Sequence, residues 1–213
     1  PMSPRTVGTA VHDLVAAGLV TVRGNSIRCI GARAQEVLLQ GCSDVSARAH
    51  AFDHLEQLGG VPDARWCRIA LRAERMEWLQ SHAPGIVTSA TAQSPAAGVA
   101  LAEWLWSRGV NSPALALARM RALAQGGSGG RAAEALATLP PGQQACGMAI
   151  LAMMALSHGD VQGAREWCEQ AQPSDDPELM LAAANVAGAS GELGEAERLA
   201  GFVLGTCGVM GRV

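Results

Sequence analysis

Three segments of the chain share one pattern: Gly127-Ser-Gly-Gly-Arg-Ala132-Ala-Glu-Ala-Leu136, Gly159-Asp-Val-Gln-Gly-Ala164-Arg-Glu-Trp-Cys168 and Gly191-Glu-Leu-Gly-Glu-Ala196-Glu-Arg-Leu-Ala200. The glycine and the alanine five positions after it recur every 32 residues, and Ala100 adds one more alanine to the series. A fixed period of about 20–50 residues is typical of stacked repeats, in which no unit can bury its apolar face alone. Residues 95–204 are therefore predicted to form an array of similar units.

Each unit is expected to be a pair of helices joined by a glycine turn. The glycine can adopt the positive φ that ends a helix, and Asp160 or Glu192 after it suits the free N–H groups at the start of the next helix. We expect the repeated alanine to lie where the two helices cross, since a methyl group lets the backbones approach. The positions four residues later share that face and are Trp104, Leu136, Cys168 and Ala200.

The turn-plus-alanine pattern resembles the tetratricopeptide repeat, which ends its first helix at a Gly-Asp/Asn turn and places an alanine at the helix crossing. The period is slightly shorter than the ~34 residues of that repeat. Composition agrees with helices, because the chain is 49 % hydrophobic but only 3 % aromatic, which argues against a β-sandwich. The resemblance implies an all-α fold in which residues 43–213 form a tetratricopeptide-like α-solenoid.

Residues 1–42 predict a small winged-helix-like segment that precedes the solenoid. A helical stripe over residues 3–17 is followed by two short strands, residues 19–23 and 26–30, around a Gly24-Asn25 turn, and by a helix over residues 32–40. Beyond this segment, residues 43–58 and 62–81 are each predicted to be a single helix. Residues 84–92 are ambiguous because three consecutive positions there are β-branched.

This order of parts is similar to the middle of large bacterial STAND-type, ATP-dependent transcription regulators of the MalT and LuxR type. The stretch AVHDLVAAGLVTVRGNSIRC, residues 10–29, corresponds to their winged helix, and the repeats correspond to their sensor region. The resemblance implies that ATP binds a domain outside this chain, that a separate helix-turn-helix reads DNA, and that this chain carries no cofactor. One position departs, since the family commonly has a nucleotide-contacting His where this chain has Cys29-Ile30-Gly31.

Charge and cysteine usage limit the possible partners. The net charge of −3 gives no general electrostatic case for nucleic-acid binding, so DNA binding by the winged segment itself is disfavoured. The 6 cysteines form no C-x-x-C pair, which is typical of reduced thiols in the cytoplasm. Without a long apolar run or a signal peptide, we expect a cytoplasmic protein with no membrane partner. We also expect the chain to be a piece of a larger protein.

No residue pattern indicates catalysis, and we expect the chain not to be an enzyme. Gly126–Gly130 lacks the Lys-Ser/Thr of a phosphate-binding loop. His50 and His54 are four residues apart, a spacing that can chelate a metal, and Asp53 lies between them. No third ligand is evident nearby and the H-E-x-x-H order is lacking, so a solvated helix face is the expected interpretation. An arginine stripe on the predicted 62–81 helix is likewise expected to be an exposed face balanced by glutamates: Arg65, Arg68, Arg72 and Arg75.

The candidate ligand-binding site is the concave face of the predicted solenoid. The tetratricopeptide register places small and apolar residues there, and its polar side chains are Arg121, Gln125, Glu178 and Asn185. Trp106 is a further candidate, for stacking on a ligand, against the alternative that it packs between repeats. The regulator resemblance favours a small-molecule effector such as an oligosaccharide. The alternatives are that these side chains are ordinary solvent-facing residues, or that the groove holds a protein partner as an interaction scaffold.

Overall fold

The computed structural model describes residues 12, 15–16, 20–23, 26–29, 45–57, 61–171 and 174–210. The described chain is mostly helical, which confirms the predicted all-α class. It packs as two compact units, Pro1–Met76 and Glu77–Val213. The predicted division after residue 42 stays a prediction.

The first unit contains a β-hairpin and two helices among its described residues. Strand β1, Val20–Arg23, pairs antiparallel with β2, Ser26–Cys29, so that Val20 lies opposite Cys29. This confirms the two predicted strands. The Gly24-Asn25 turn, the 32–40 helix and most of the 3–17 helix lie outside the described residues, so the winged helix stays a prediction.

Helices α1, Val45–Gln57, and α2, Ala64–Arg72, complete the described part of this unit. The Asp63 side chain caps α2 by accepting a hydrogen bond from the Arg65 backbone N–H at 2.8 Å. The ring of Phe52, which is buried, meets the ring of Trp66 edge to face with centroids 6.0 Å apart. This aromatic pair holds α1 against α2.

The single helix predicted over residues 62–81 is wrong. Helix α2 ends at Arg72 and the next helix begins at Met76, because Glu74 adopts a φ of 55° and turns the chain. A non-glycine residue in this conformation costs about 1–2 kcal/mol. The buried side chain of Ala73 and the ion pair of Arg75 with Asp53 help to offset that cost. The predicted arginine stripe is interrupted here, since Arg75 lies outside α2.

The second unit consists of consecutive helices, the first of which, α3, begins at the unit boundary. Their bounds are α3 Met76–Gln93, α4 Pro95–Ser107, α5 Pro113–Gln125, α6 Gly129–Leu136, α7 Pro141–Ser157, α8 Val161–Gln170, α9 Pro177–Ala189 and α10 Leu193–Met210. The ambiguous stretch 84–92 is thus helical. Pairs α5–α6, α7–α8 and α9–α10 pack together, and α5 also packs on α7 and α7 on α9. The helices that open these three pairs therefore lie side by side.

Glycines end the first helix of each pair, as the sequence predicts. Gly127, Gly159 and Gly191 have φ values of 72°, 78° and 80°. In this left-handed region a residue without a Cβ avoids a steric cost. Asp160 then caps α8, where its carboxylate accepts a hydrogen bond from the Gly163 N–H at 2.8 Å. The 32-residue period therefore marks a repeated change of chain direction.

The repeated alanine lies in the core in two of the four units. Ala132 and Ala164 are each 0 % exposed, and each belongs to a hydrophobic core cluster. Ala196 is half-buried, and Ala100 is exposed, so its predicted place at a helix crossing is wrong. The fourth residue of α4, equivalent to Ala132 in α6, is the buried Gly98. The first step of the repeat is therefore 34 residues rather than 32.

Pro84 lies inside α3, where a proline removes one backbone N–H donor. The carbonyl that such a donor would normally reach, four residues earlier, belongs to Gln80. Ser112 donates its hydroxyl hydrogen to that carbonyl at 3.3 Å, and the same hydroxyl oxygen accepts from the Leu115 N–H at 3.2 Å to cap α5. The Ser112 hydroxyl thus provides a hydrogen bond to the carbonyl that the proline leaves free in α3 and also caps α5, the helix that opens the next repeat.

Candidate ligand-binding groove

Helices α5, α7 and α9 line an open cavity of about 540 Å³. It combines a largely aliphatic wall with a few polar side chains. We call this cavity the groove, and the residues that line it are Arg121, Ala124, Gln125, Ala149, Ile150, Met153, Met154, Ser157, Glu178, Leu181 and Ala182. The side-by-side packing of the first helices creates this surface, because each of them contributes one face.

The sequence predicts the concave face in part. Arg121, Gln125 and Glu178 line the groove, as the repeat register indicates. Asn185 does not line it, but its amide donates to the Leu181 carbonyl at 2.9 Å and lies 3.7 Å from the Met153 sulfur. It therefore lies beside the groove and contacts two residues that do line it.

The sequence register misses three lining residues, Ile150, Met154 and Ala182. Each follows by one residue a position that the repeat register predicts on the concave face, namely Ala149, Met153 and Leu181. A helix turns 100° per residue, so a register of single positions describes too narrow a face. These three residues would have been predicted if a wider arc of apolar positions on α7 and α9 had been assigned to the concave face.

An ion pair crosses the groove between its outer helices. Arg121 in α5 donates from one guanidinium nitrogen to both carboxylate oxygens of Glu178 in α9. The Cys146 thiol in α7 donates to Glu178 Oε2 at 2.8 Å, and the same Arg121 nitrogen lies 3.6 Å from the sulfur. The three helices are thus joined by one polar cluster at this point.

The cluster sets the protonation of its members. Burial opposes ionisation of Glu178, but the hydrogen bonds from Arg121 and Cys146 outweigh it, so the Glu178 pKa lies below 4.5. Burial and the neighbouring Glu178 raise the pKa of Cys146 to about 12. At neutral pH the cluster therefore contains a carboxylate, a guanidinium and a protonated thiol.

The rest of the groove wall is aliphatic and accessible. Met153 and Leu181 are 42 % and 50 % exposed, so both present apolar side-chain surface to solvent. The buried residues Ala149 and Ala182 also line the groove. When a ligand removes such apolar surface from water, the binding becomes more favourable by about 25 cal/mol per Å².

Trp106 lies elsewhere. It packs against the core cluster around Met120 and Leu123, and the Arg119 guanidinium lies 5.0 Å from its ring centroid. Arg119 also pairs with Glu103 at 2.7 Å. The structure therefore assigns Trp106 the packing role that the sequence leaves open, and none of the described residues that line the groove is aromatic.

The other candidate clusters have structural partners. Asp53 accepts a hydrogen bond from Arg75, and Arg65 pairs with Asp63 at 2.7 Å. Among the described residues, no three His, Cys, Asp or Glu side chains come together as a potential metal site. In the same part of the chain, no helix is both long enough and apolar enough to span a membrane.

Comparisons with protein-family models, with curated proteins and with solved structures find no match to this chain.

Proposed function

We propose that Glu77–Val213 is a binding module of the tetratricopeptide-like type, whose groove holds a small, mainly apolar effector. The observation that carries the proposal is the cavity of about 540 Å³ with exposed Met153 and Leu181 in its wall. Small-molecule sites are typically cavities of about 300–1,000 Å³ with apolar walls and a few polar groups. In this role the groove binds its effector and catalyses no reaction.

The solenoid form of the fold is part of this proposal. Its support is the recurrence of left-handed glycines at Gly127, Gly159 and Gly191, together with the buried crossing alanines Ala132 and Ala164. The packing of α5 on α7 and α7 on α9 agrees with a concave surface made of first helices. The β-hairpin in the first unit similarly supports a winged-helix-like segment.

The wider role that we propose is the sensor region of a cytoplasmic, MalT-like regulator. Its support is the resemblance of residues 10–29 and the order of the parts along the chain. In such a protein the effector would shift a population between two states, while ATP and DNA bind other domains. Finding an ATPase motif before this sequence and a helix-turn-helix after it in the parent gene would test this role directly.

An apolar effector is favoured over the oligosaccharide suggested by the resemblance. Sugars are commonly held by aromatic stacking and by several hydrogen bonds. The described lining of the groove contains no aromatic ring, and the one Arg121 guanidinium is already paired with Glu178. An aliphatic ligand, in contrast, needs only the wall formed by residues such as Met153 and Leu181.

A protein partner is the second candidate. The observation that favours it is the methionine pair at the groove, since flexible methionine side chains adapt to varied apolar partners. In this case an aliphatic side chain of a partner peptide would fill the same cavity. Isothermal calorimetry with a peptide library, run beside a small-molecule screen, distinguishes a peptide ligand from a small-molecule ligand.

The test is a thermal-shift and calorimetry screen of the full chain with 1-octanol, maltotriose and a peptide library. We expect 1-octanol to bind, and Met153→Glu and Leu181→Glu to abolish its binding. Leu193→Glu is the matched control, because Leu193 is 67 % exposed on α10 and lies outside the groove. Binding that survives both groove substitutions would refute the site, and preferential binding of maltotriose would restore the sugar interpretation. If the effector is a sugar instead, Arg121→Ala and Asn185→Ala should weaken its binding while leaving the fold intact.

A further inference from the structure

Glu178 occupies the position that a ligand carboxylate would take on Arg121. Arginine presents a planar fork of donors that suits carboxylates, and in an open groove it would ordinarily recruit an anion. Here one guanidinium nitrogen already contacts both oxygens of Glu178. The pair is intramolecular, so it forms without the entropic cost of binding a second molecule.

Two further interactions hold Glu178 in this position. The Cys146 thiol donates to its Oε2 at 2.8 Å. Glu178 is also in the first turn of α9, just after the capping residue Asp176, where the free N–H groups favour a negative charge. The carboxylate is therefore fixed from α5, from α7 and from its own helix.

The pair leaves the groove without net charge. Among the residues that line it, Arg121 and Glu178 are the charged ones, and Gln125 and Ser157 are polar but neutral. A ligand carboxylate that reaches Arg121 must displace Glu178, which then loses its cationic partner close to a second anion. A charge that loses its partner costs free energy, although solvent moderates the cost here because the Glu178 side chain is 52 % exposed.

We propose that Glu178 is a specificity-determining residue, which neutralises Arg121 and makes the groove select an uncharged aliphatic ligand over a carboxylate of equal chain length. This inference rests on the proposed function, since it names the ligand class of the same groove. It also assigns the pair a role other than stability. Removing either partner leaves the other charge unpaired and abolishes the selection against a ligand of the opposite charge.

The test compares 1-octanol, octanoate and octylammonium by calorimetry on the full chain at neutral pH. Wild-type protein is expected to bind 1-octanol about tenfold more tightly than octanoate. In Glu178→Gln, which frees Arg121, octanoate affinity is expected to rise about tenfold while 1-octanol affinity stays within about twofold. In Arg121→Gln, which frees Glu178, octylammonium is expected to gain instead.

Glu192→Gln is the matched control. Glu192 lies directly before α10 and, like Glu178, pairs with an arginine, Arg165, at 2.6 Å, but it does not line the groove. Its loss should leave all three affinities unchanged. If 1-octanol binds but neither groove variant alters the preference between charged and neutral ligands, the inference is overturned while the proposed function stands. If 1-octanol binds neither the wild type nor any variant, the proposed function fails and the inference fails with it.

Discussion

Gly98 of α4 lies in direct contact with Thr91 of α3. A Cβ placed on Gly98 would lie 2.0 Å from Thr91 Oγ1 and 2.7 Å from Thr91 Cα. Both residues are buried, and the Thr91 hydroxyl donates to the Val87 carbonyl at 2.7 Å. At none of the other described glycines would a Cβ come so close to a neighbouring atom. Glycine thus replaces the crossing alanine at this position.

Gly98→Ala is expected to destabilise the second unit strongly. The new methyl group would clash with backbone as well as side chain, so the helices must separate, at a cost of about 1–3 kcal/mol or more. Gly85→Ala is the control, because it lies in α3 and its added methyl group would have no atom within 4 Å. There alanine should stabilise the helix by up to about 1 kcal/mol. Urea unfolding measures both, and equal stability of the two variants would contradict the close crossing.

Ala132→Leu and Ala164→Leu are expected to destabilise by about 1–3 kcal/mol, because each alanine is fully buried in a closely packed core. Ala100→Leu provides a control with the same chemical change on an exposed site. It should change the free energy of unfolding by less than about 0.5 kcal/mol. A loss of stability in Ala100→Leu as large as in the other two would restore the 32-residue register at this unit.

Gly159→Ala should cost about 1–2 kcal/mol, since φ at this position is 78° and a Cβ is unfavourable there. Asparagine tolerates the left-handed region better, so Gly159→Asn is expected to be less destabilising than Gly159→Ala. Gly130→Ala, inside α6 with open space around it, should instead be neutral or stabilising. Differential scanning calorimetry should give the order Gly130→Ala, Gly159→Asn, Gly159→Ala from highest to lowest Tm. The reverse order for the two Gly159 variants would exclude a left-handed turn.

The Arg121–Glu178 pair predicts a stability contribution that is lost in acid. The pKa of Glu178 in the folded chain lies below its ordinary 4.5, so the contribution is present above that pH and disappears as pH falls through the folded value. Because the Glu178 side chain is 52 % exposed, we expect at most about 1 kcal/mol. The Tm difference between wild type and Glu178→Gln should therefore shrink in acid. A difference that is independent of pH would show that the pair does not stabilise the fold.

The hairpins of the second unit are predictable because local chemistry determines where they turn. Gly159 and Asp160 carry both signals, a left-handed turn and a helix cap, and the structure uses both. The groove is predictable for a related reason. Once the repeat register is known, helix geometry places Arg121 and Glu178 on the same face of the array.

The errors arise where tertiary contacts override local preference. The break at Glu74 has neither glycine nor proline, and what favours it is an ion pair between distant residues, Arg75 and Asp53. The stretch 84–92 is ambiguous by sequence, but Ser112 satisfies the carbonyl that Pro84 leaves free and the helix continues. Sequence patterns also do not predict the ion pair between Arg121 and Glu178, because 57 residues separate the two positions.

That separation has a consequence for cooperativity. In a linear stack of repeats, each unit is stabilised by its immediate neighbours, and an end unit can open by itself. The Arg121–Glu178 pair reaches across α7 and directly joins the first of the three helix pairs to the last. Local opening of α9 therefore breaks contacts with both preceding pairs at once. The pair thus adds a coupling beyond nearest neighbours, and a ligand that disturbs it would loosen the end of the array as it binds.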